Sequence, residues 1–428
     1  MREVFPGCYE CHLPSGLRIL SVPMEHVYSV SLGLWVRAGS RQDPPGRGGL
    51  AHLLEHMVFK GTQRRSSLEI AQIIDALGGQ LNGSTSKESA FYYTSVLDEG
   101  FGEALSVIAD LVTQPRLDQK DLERERLVVL DEIRGALDMP EEVVFLLLAE
   151  QMWGADHPLG LPVMGTPQAI REATHEELLE QFACSYVAAR SVLVASGRLT
   201  PEEVEEEAAR IAWNGDNRTF PPSSPPAPGA GLRIAEKDVE QVHLALGFPT
   251  VPAADPRRYT AEVLSSLLGG GVSSRLFQRV REERGLLYTV FSSTNYYTDA
   301  GGLIVYAACE AENLDPVLEL IWEELEDMSH SPPDRFDMQR AVQRLRSGFL
   351  LGQEDPSGRM ARLGTAASLD LPLLSPEAVV SRLEAVTAED VQELARDTFQ
   401  RPRATLALVG RSGDRIRRTA ERVLEVRR

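Results

Sequence analysis

The chain has 428 residues, 43% of them hydrophobic, which is enough for a sizeable core and long enough for roughly two or three domains. Its formal net charge of −19 argues against nucleic acid, which needs a basic surface. The same charge suits cationic peptides, or simply solubility. No stretch reaches ~18 consecutive apolar residues, and the first residues, Met1 to Cys8, have no apolar signal region. No membrane partner is expected, and a cytoplasmic location is the simplest expectation.

The four cysteines, Cys8, Cys11, Cys184 and Cys309, are too scattered for a disulfide scaffold. Cys8-x-x-Cys11 has no second pair at zinc-ribbon spacing and reads as reduced structural thiols with some metal affinity. Alternation predicts a strand over Ser29–Val36. The run His52-Leu-Leu-Glu55-His56 follows, on a segment with helical patterning. Residues i and i+4 of a helix share a face, so His52 and His56 can present two imidazoles to one ion. Glu55 flanks that face without having to bind, which leaves it available as a general base toward water that zinc acidifies. The competing reading is a helix whose histidines make ordinary hydrogen bonds.

Gly78-Gly79 predicts a turn, and Phe91–Leu97 a strand. Helices are predicted over Phe101–Val112, 119–138, Glu141–Trp153 and Pro201–Trp213. In the second of these, Leu122, Val129, Leu130, Ile133 and Leu137 form an apolar stripe. Glu125 and Glu132 lie two turns apart on one flank of it. Val128, Val129 and Ile133 place Glu132 near the buried seam, as a third zinc ligand. The alternative is a solvated helix glutamate.

A proline-rich connector, Phe220–Gly231, cannot continue a helix or a central strand. It separates an N-terminal domain, 1–220, from a C-terminal domain, 232–428, with 221–231 as linker. The halves look like cousins. Each opens on a strand, Ser29–Val36 and then Val242–Phe248, and each closes on a short apolar one, Val192–Ala195 and then Thr405–Val409. Helices Leu314–Asp327 and Pro333–Leu351 complete the second half. The expected class is α+β: two homologous α/β-sandwich domains with mostly antiparallel sheets flanked by helices, an internal duplication. Gly269-Gly-Gly-Val-Ser-Ser274 invites a phosphate-loop reading, but no lysine follows at Walker spacing and no dinucleotide glycine pattern is present.

The segment Gly48–Thr62 with its His-x-x-Glu-His order resembles the active-site helix of the pitrilysin/insulinase-type inverted zincins. The likeness is strongest to their short bacterial members and to the β subunit of mitochondrial processing peptidase, and runs from about Leu13 to Gly410. The resemblance implies a zinc-dependent endopeptidase acting on short or unfolded peptides, with one Zn2+ per chain held by His52, His56 and Glu132. Glu55 would be the base, and Glu125 the family's accessory acidic residue. Leu77–Glu88 is similar to the family's substrate-binding edge strand, which would place peptide beside Asn82, Gly83, Ser84 and Thr85, although many relatives carry Ala at the position of Gly83. A plain turn is the alternative there. Arg281 and Tyr288 resemble the pair that contacts substrate and the developing oxyanion; by themselves they could equally be a surface arginine and a packed tyrosine. His157–Thr166 also resembles a family stretch, with Leu161 at a frequent arginine position, and receives no role.

The large relatives enclose substrate between two halves of four related domains in all. This chain has two such domains, so the resemblance implies a homodimer whose Arg281 and Tyr288 complete the partner's site. A heterodimer with a zinc-less companion is the other arrangement. The alternative function is a non-catalytic structural or substrate-holding subunit of the same fold. A zinc hydrolase of a non-peptide amide is a third reading, and the edge-strand segment argues against it.

Overall fold

The computed structural model describes residues 1–213, 224–411 and 414–424. The connector Phe220–Gly231 lies outside the described residues up to residue 223; residues 224–230 form neither helix nor strand. The chain groups into two compact units, and neither is a continuous stretch. The first comprises Met1–Ile133, Pro162–Ser223 and Leu350–Pro376; the second comprises Arg134–Leu161, Ser224–Phe349 and Glu377–Arg428.

The first unit is built on a seven-stranded sheet. Its strands are β1 (Arg2–Phe5), β2 (Cys8–His12), β3 (Arg18–Pro23), β4 (Ser29–Val36), β5 (Asn82–Thr85), β6 (Ala90–Leu97) and β7 (Ser191–Gly197). Their order across the sheet is β1-β2-β3-β7-β4-β6-β5. Among the described residues of this sheet, only β3 and β7 run parallel. β5 pairs with β6 alone, from Asn82 opposite Tyr93 to Thr85 opposite Ala90, and is an edge strand.

β4 shows why the sheet needs cover on both sides. Side chains alternate across a strand, yet almost all of β4 is buried. Val30, Leu32, Leu34 and Val36 belong to a core shared with the helices Leu50–Val58 and Phe101–Thr113. Trp35 points the other way, stacks on Phe91 at 5.3 Å, and meets Met360, Leu363 and Ala367 of the helix Pro356–Ser368.

The second unit holds a five-stranded sheet of β8 (Gly231–Glu236), β9 (Gln241–Thr250), β10 (Leu287–Tyr296), β11 (Gly301–Glu310) and β12 (Thr405–Gly410). Their order is β10-β11-β9-β12-β8, with β8 and β12 the only parallel pair among the described residues. This repeats β5-β6-β4-β7-β3 strand for strand, as an internal duplication requires. One face is covered by the helix Pro140–Trp153, whose Val144 and Leu148 pack on Ala245, Tyr306, Ala407 and Val409. On the other, Phe248 meets Trp322 and Phe399 edge-on.

Each sandwich is thus completed by a helix from the other half of the sequence. The expected division at 220/232 differs from this partition: 134–161 group with the second sheet, and 350–376 with the first. The physical reason is that each sheet presents two apolar faces, and each is closed by whichever helix packs there.

Smaller differences also have local causes. The helix predicted over Pro201–Trp213 is Pro201–Ala209, because Ile211 and Trp213 leave it to pack against the first core. The helix expected from Pro333 begins at Arg335, with Asp334 accepting hydrogen bonds from the Phe336 and Asp337 amides. On the helix Gln119–Asp138, Val128 and Leu137 are exposed, so the apolar stripe is narrower than its sequence suggests. Cys8 and Cys11 sit three positions apart on β2 and face opposite cores, so they share no ligand site. Burial pushes the Cys8 thiol up to about 12 and the Cys11 thiol up to about 11. Among the described residues no helix is long and apolar enough to cross a membrane.

Trp35 leaves no room across the sheet. A Cβ on Gly364 would lie 2.3 Å from the Trp35 indole. Glycine to alanine in a helix ordinarily stabilises by ~0.5–1 kcal/mol, but crowding here should dominate. Gly364→Ala is expected to lower unfolding stability by about 1–3 kcal/mol in urea titrations. A gain in stability would mean that this helix does not pack on Trp35.

Candidate metal centre

The helix Leu50–Val58 is amphipathic: Leu50, Ala51, Leu53, Leu54, Met57 and Val58 are buried, while His52, Glu55 and His56 are only partly so. Fully burying a leucine-sized side chain is worth ~1.5–3 kcal/mol, so the apolar face fixes the rotation of the helix and hence the direction of the two imidazoles. Their ring centroids lie 4.7 Å apart. The helix Gln119–Asp138 is anchored by Leu122, Val129, Leu130 and Ile133, and brings Glu125 and Glu132 to the same place.

The three candidate ligands converge. Glu132 Oε2 lies 3.4 Å from His56 Nε2 and 4.0 Å from His52 Nε2. One donor atom from each of the three residues falls within 4.8 Å of the others. Donors bound tetrahedrally at ~2.0–2.1 Å stand roughly 3.4 Å apart, so this spacing suits one small ion. Two imidazole nitrogens and a carboxylate oxygen also match the donor chemistry of zinc sites that keep an open position. The Glu132 side chain is 42% exposed, so the expected buried seam is not where it sits. It faces the histidines from the solvent side.

Burial pushes the His52 imidazole down to about 4, with His56 adding to the effect, so it is a neutral ring ready to donate a lone pair. Its Nδ1 is buried with no hydrogen-bond partner among the described residues. His56 Nδ1 instead lies 3.3 Å from Oε2 of the buried Glu125, whose other oxygen is 2.7 Å from Lys60 Nζ. Lys60 was not singled out as a site residue. It lies four residues after His56, and only the packing of the two helices makes it Glu125's partner.

Glu55 is held differently. Burial raises its carboxyl above the usual range, partly offset by a hydrogen bond that Thr85 Oγ1 donates to Oε2 at 2.7 Å. The proposed base is thereby tied to the edge strand. Gly83 passes so close that a Cβ there would lie 2.8 Å from the Phe59 ring and 3.1 Å from Glu55 Oε1. That approach gives glycine a local reason where alanine is frequent. Asn82 and Ser84 complete β5, whose outer edge carries no paired strand among the described residues.

Arg281 and Tyr288 belong to the second unit. The Arg281 guanidinium lies 4.4 Å from the Tyr288 ring centroid and 4.5 Å from that of Phe277. The Tyr288 side chain is 73% exposed at the start of edge strand β10. The two therefore form one exposed cation–π unit, and Tyr288 is not a packed core tyrosine.

Comparison with known proteins agrees with this geometry. Residues 18–167 match the model of the insulinase family (peptidase family M16), and residues 172–345 match the peptidase M16 inactive domain. An uncharacterized zinc protease of Streptomyces coelicolor is 35% identical over 407 residues, covering 93% of this chain and 88% of the relative. One from Bacillus subtilis is 33% identical over 415 residues, covering 95% and 98%. A solved protease from Helicobacter pylori shares the fold at a TM-score of 0.88 and 21% identity, over 94% of this chain and 99% of that one. With both family domains matched in order and relatives above 30% identity along nearly its whole length, the chain belongs to the insulinase family of peptidases, family M16.

Proposed function

We propose that the chain is a zinc-dependent endopeptidase that takes short or unfolded peptides as an added strand on β5. One observation carries this reading. His52, His56 and Glu132 converge while Glu55, beside them, accepts a hydrogen bond from Thr85 of an open edge strand. An edge strand offers unpaired backbone groups to an extended peptide, so one contact joins substrate binding to the base. The names of the relatives support protease chemistry at the level of the family.

His52, His56 and Glu132 would hold one zinc ion per chain. Bound there, zinc supplies Lewis-acid chemistry, polarising a carbonyl and acidifying water. Glu55 takes the proton from the attacking water and returns it to the leaving amine. Its raised pKa makes the carboxylate a stronger base toward the proton it must take up and give back. Glu125 touches His56 and not the reacting atoms, so it acts as a positioning residue: it holds Nδ1 and leaves Nε2 facing Glu132. Arg281 and Tyr288 supply a cation and a phenol to the developing oxyanion. In a homodimer they would serve the partner's site and close a chamber around the peptide. A non-catalytic role fits less well, because such subunits ordinarily lose ligands or base and this chain retains all four residues.

Glu55→Gln, with zinc loading matched to wild type, is expected to reduce hydrolysis of a quenched-fluorescent peptide library by about 10²–10⁴-fold. Activity that survives would sink the assignment of Glu55. Glu125→Gln should weaken zinc binding by about 10–100-fold in a chelator competition; an unaltered affinity would remove Glu125 from the site's support. Mixing inactive Glu55→Gln chains with inactive Arg281→Ala chains should restore activity, and no recovery would count against completion of the site by a partner.

A further inference from the structure

The segment that leads from β4 to the His52–His56 helix is attached to two parts of the site at once. At its far end, the Asp43 carboxylate accepts hydrogen bonds from Gly49 N at 2.7 Å and from Ala51 N at 2.8 Å, and so closes the start of the ligand-bearing helix. Gly49, at that start, has a left-handed φ of 97° and no side chain to serve as a cap. Four residues before Asp43, Gly39 lies directly on the turn that follows β5. A Cβ on Gly39 would stand 2.3 Å from Ser86 O and 2.7 Å from Ser89 N. Ser40 N donates to Ser86 O at 3.0 Å, and Arg41 N to Lys87 O at 2.8 Å. The turn is itself tight, with Ser86 N donating to Ser89 O at 2.8 Å.

An ion pair joins the same two segments. Arg41 Nη1 donates to Glu88 Oε1 at 2.7 Å, and the two side chains are only 1% and 9% exposed. Backbone hydrogen bonds would hold the loops together with small neutral side chains at both positions. A buried pair of charges adds little net stability, because its attraction is largely offset by the loss of water around each group. What it supplies is direction. A guanidinium meets a carboxylate in few geometries, so sliding one loop along the other would leave two buried charges unmatched.

We propose that Arg41 and Glu88 are a positioning pair that fixes the turn after β5 against the segment leading to the ligand helix, and through it the place of Thr85 beside Glu55. Thr85 lies three residues before Glu88, and its Oγ1 donates to Glu55 Oε2 at 2.7 Å. Glu55 is carried by the helix that Asp43 closes, and its hydrogen-bond donor by the strand that runs into the turn of Glu88. The pair acts through Thr85 and Glu55. Its effect on rate rests on the endopeptidase reading, and its effect on the strand does not.

The test uses the full chain with the double substitution Arg41→Met, Glu88→Leu. Apolar replacement of a buried ion pair is often neutral or stabilising, so this variant is expected to fold. Peptide hydrolysis, zinc affinity by chelator competition and amide hydrogen exchange are measured, the last over 82–89 with 90–97 of β6 as internal reference. The double variant is expected to raise KM and lower kcat, with kcat/KM falling on the order of 10–100-fold, the usual consequence of misplacing a reacting group by about 1 Å. Exchange should accelerate over 82–89 alone, while zinc affinity and exchange over 90–97 stay near wild type. Arg41→Lys, which keeps a cation for Glu88, should retain most of both properties. Wild-type kinetics and exchange in the double variant would overturn the proposal. So would equal acceleration of both stretches, which marks a general loss of stability, or an activity loss matched by an equal loss of zinc. If the double variant does not fold, Glu88→Gln, which keeps an acceptor for Arg41 and removes the charge, is judged by the same criteria. If the wild type cleaves no peptide, the endopeptidase reading fails, and exchange still decides the pair: faster over 82–89 alone supports it, unchanged overturns it.

Discussion

The burial of one face of a nine-residue helix governs the rest of the site. Leu50, Leu53, Leu54, Met57 and Val58 are all but removed from solvent. Turning this face to solvent would exchange it for the opposite one, which carries two histidines and a glutamate. At ~1.5–3 kcal/mol for each large side chain, that exchange costs about as much as the 5–15 kcal/mol that typically holds a domain together. The imidazoles are thus aimed by hydrophobic packing, before any ion is considered. The helix Gln119–Asp138 is fixed by the same means, and the approach of Glu132 to His56 is the meeting of two independently anchored elements.

Burial also sorts the ionisable groups. His52 is pushed toward its neutral form and Glu55 toward its protonated form by the same removal of water. The first change favours a metal ligand, and the second suits a base that must exchange a proton. Glu125 is more deeply buried than either and is matched by Lys60 on one oxygen and His56 on the other. A charge at that depth is tolerated only with partners on both sides. The polar groups around the site are therefore linked one to the next, from Lys60 through Glu125 to His56, and from Thr85 to Glu55.

The repeated topology gives these features a common frame. β5 and β10 are equivalent edge strands of two related sheets, and the residues of interest gather at both. Thr85 and Glu55 meet at the first, and the Arg281–Tyr288 stack forms at the second. One copy of the repeat carries the ligand helix. The corresponding stretch of the other carries the helix Arg258–Gly269 and then an irregular turn of helix over Phe277–Glu282, with Arg281 on it. Duplication followed by divergence of the segment between β4 and β5, and of its counterpart between β9 and β10, accounts for two units with unlike chemistry on like sheets.

Much of this was legible in the chain itself. His-x-x-Glu-His carries its geometry in its spacing, because the helical repeat is fixed; Glu125 and Glu132, seven apart, share a flank for the same reason. β4, β7, β9 and β12 were visible as short apolar or alternating runs, whereas β1, β2, β3 and β8, which precede β4 and β9, were not, and β5 followed only from the resemblance of Leu77–Glu88 to the family's edge strand. What the sequence could not determine was every relation between segments with no fixed spacing. Lys60 belongs with Glu125, Arg41 with Glu88, and Trp35 with Gly364 only because helices and loops distant in sequence pack there. The exchange of 134–161 and 350–376 between the sheets was hidden likewise, since an apolar helix face records that it must be covered and not by what. Local periodicity is set by backbone geometry and can be read along the chain, whereas the choice among equally apolar partners is made by shape and burial in three dimensions.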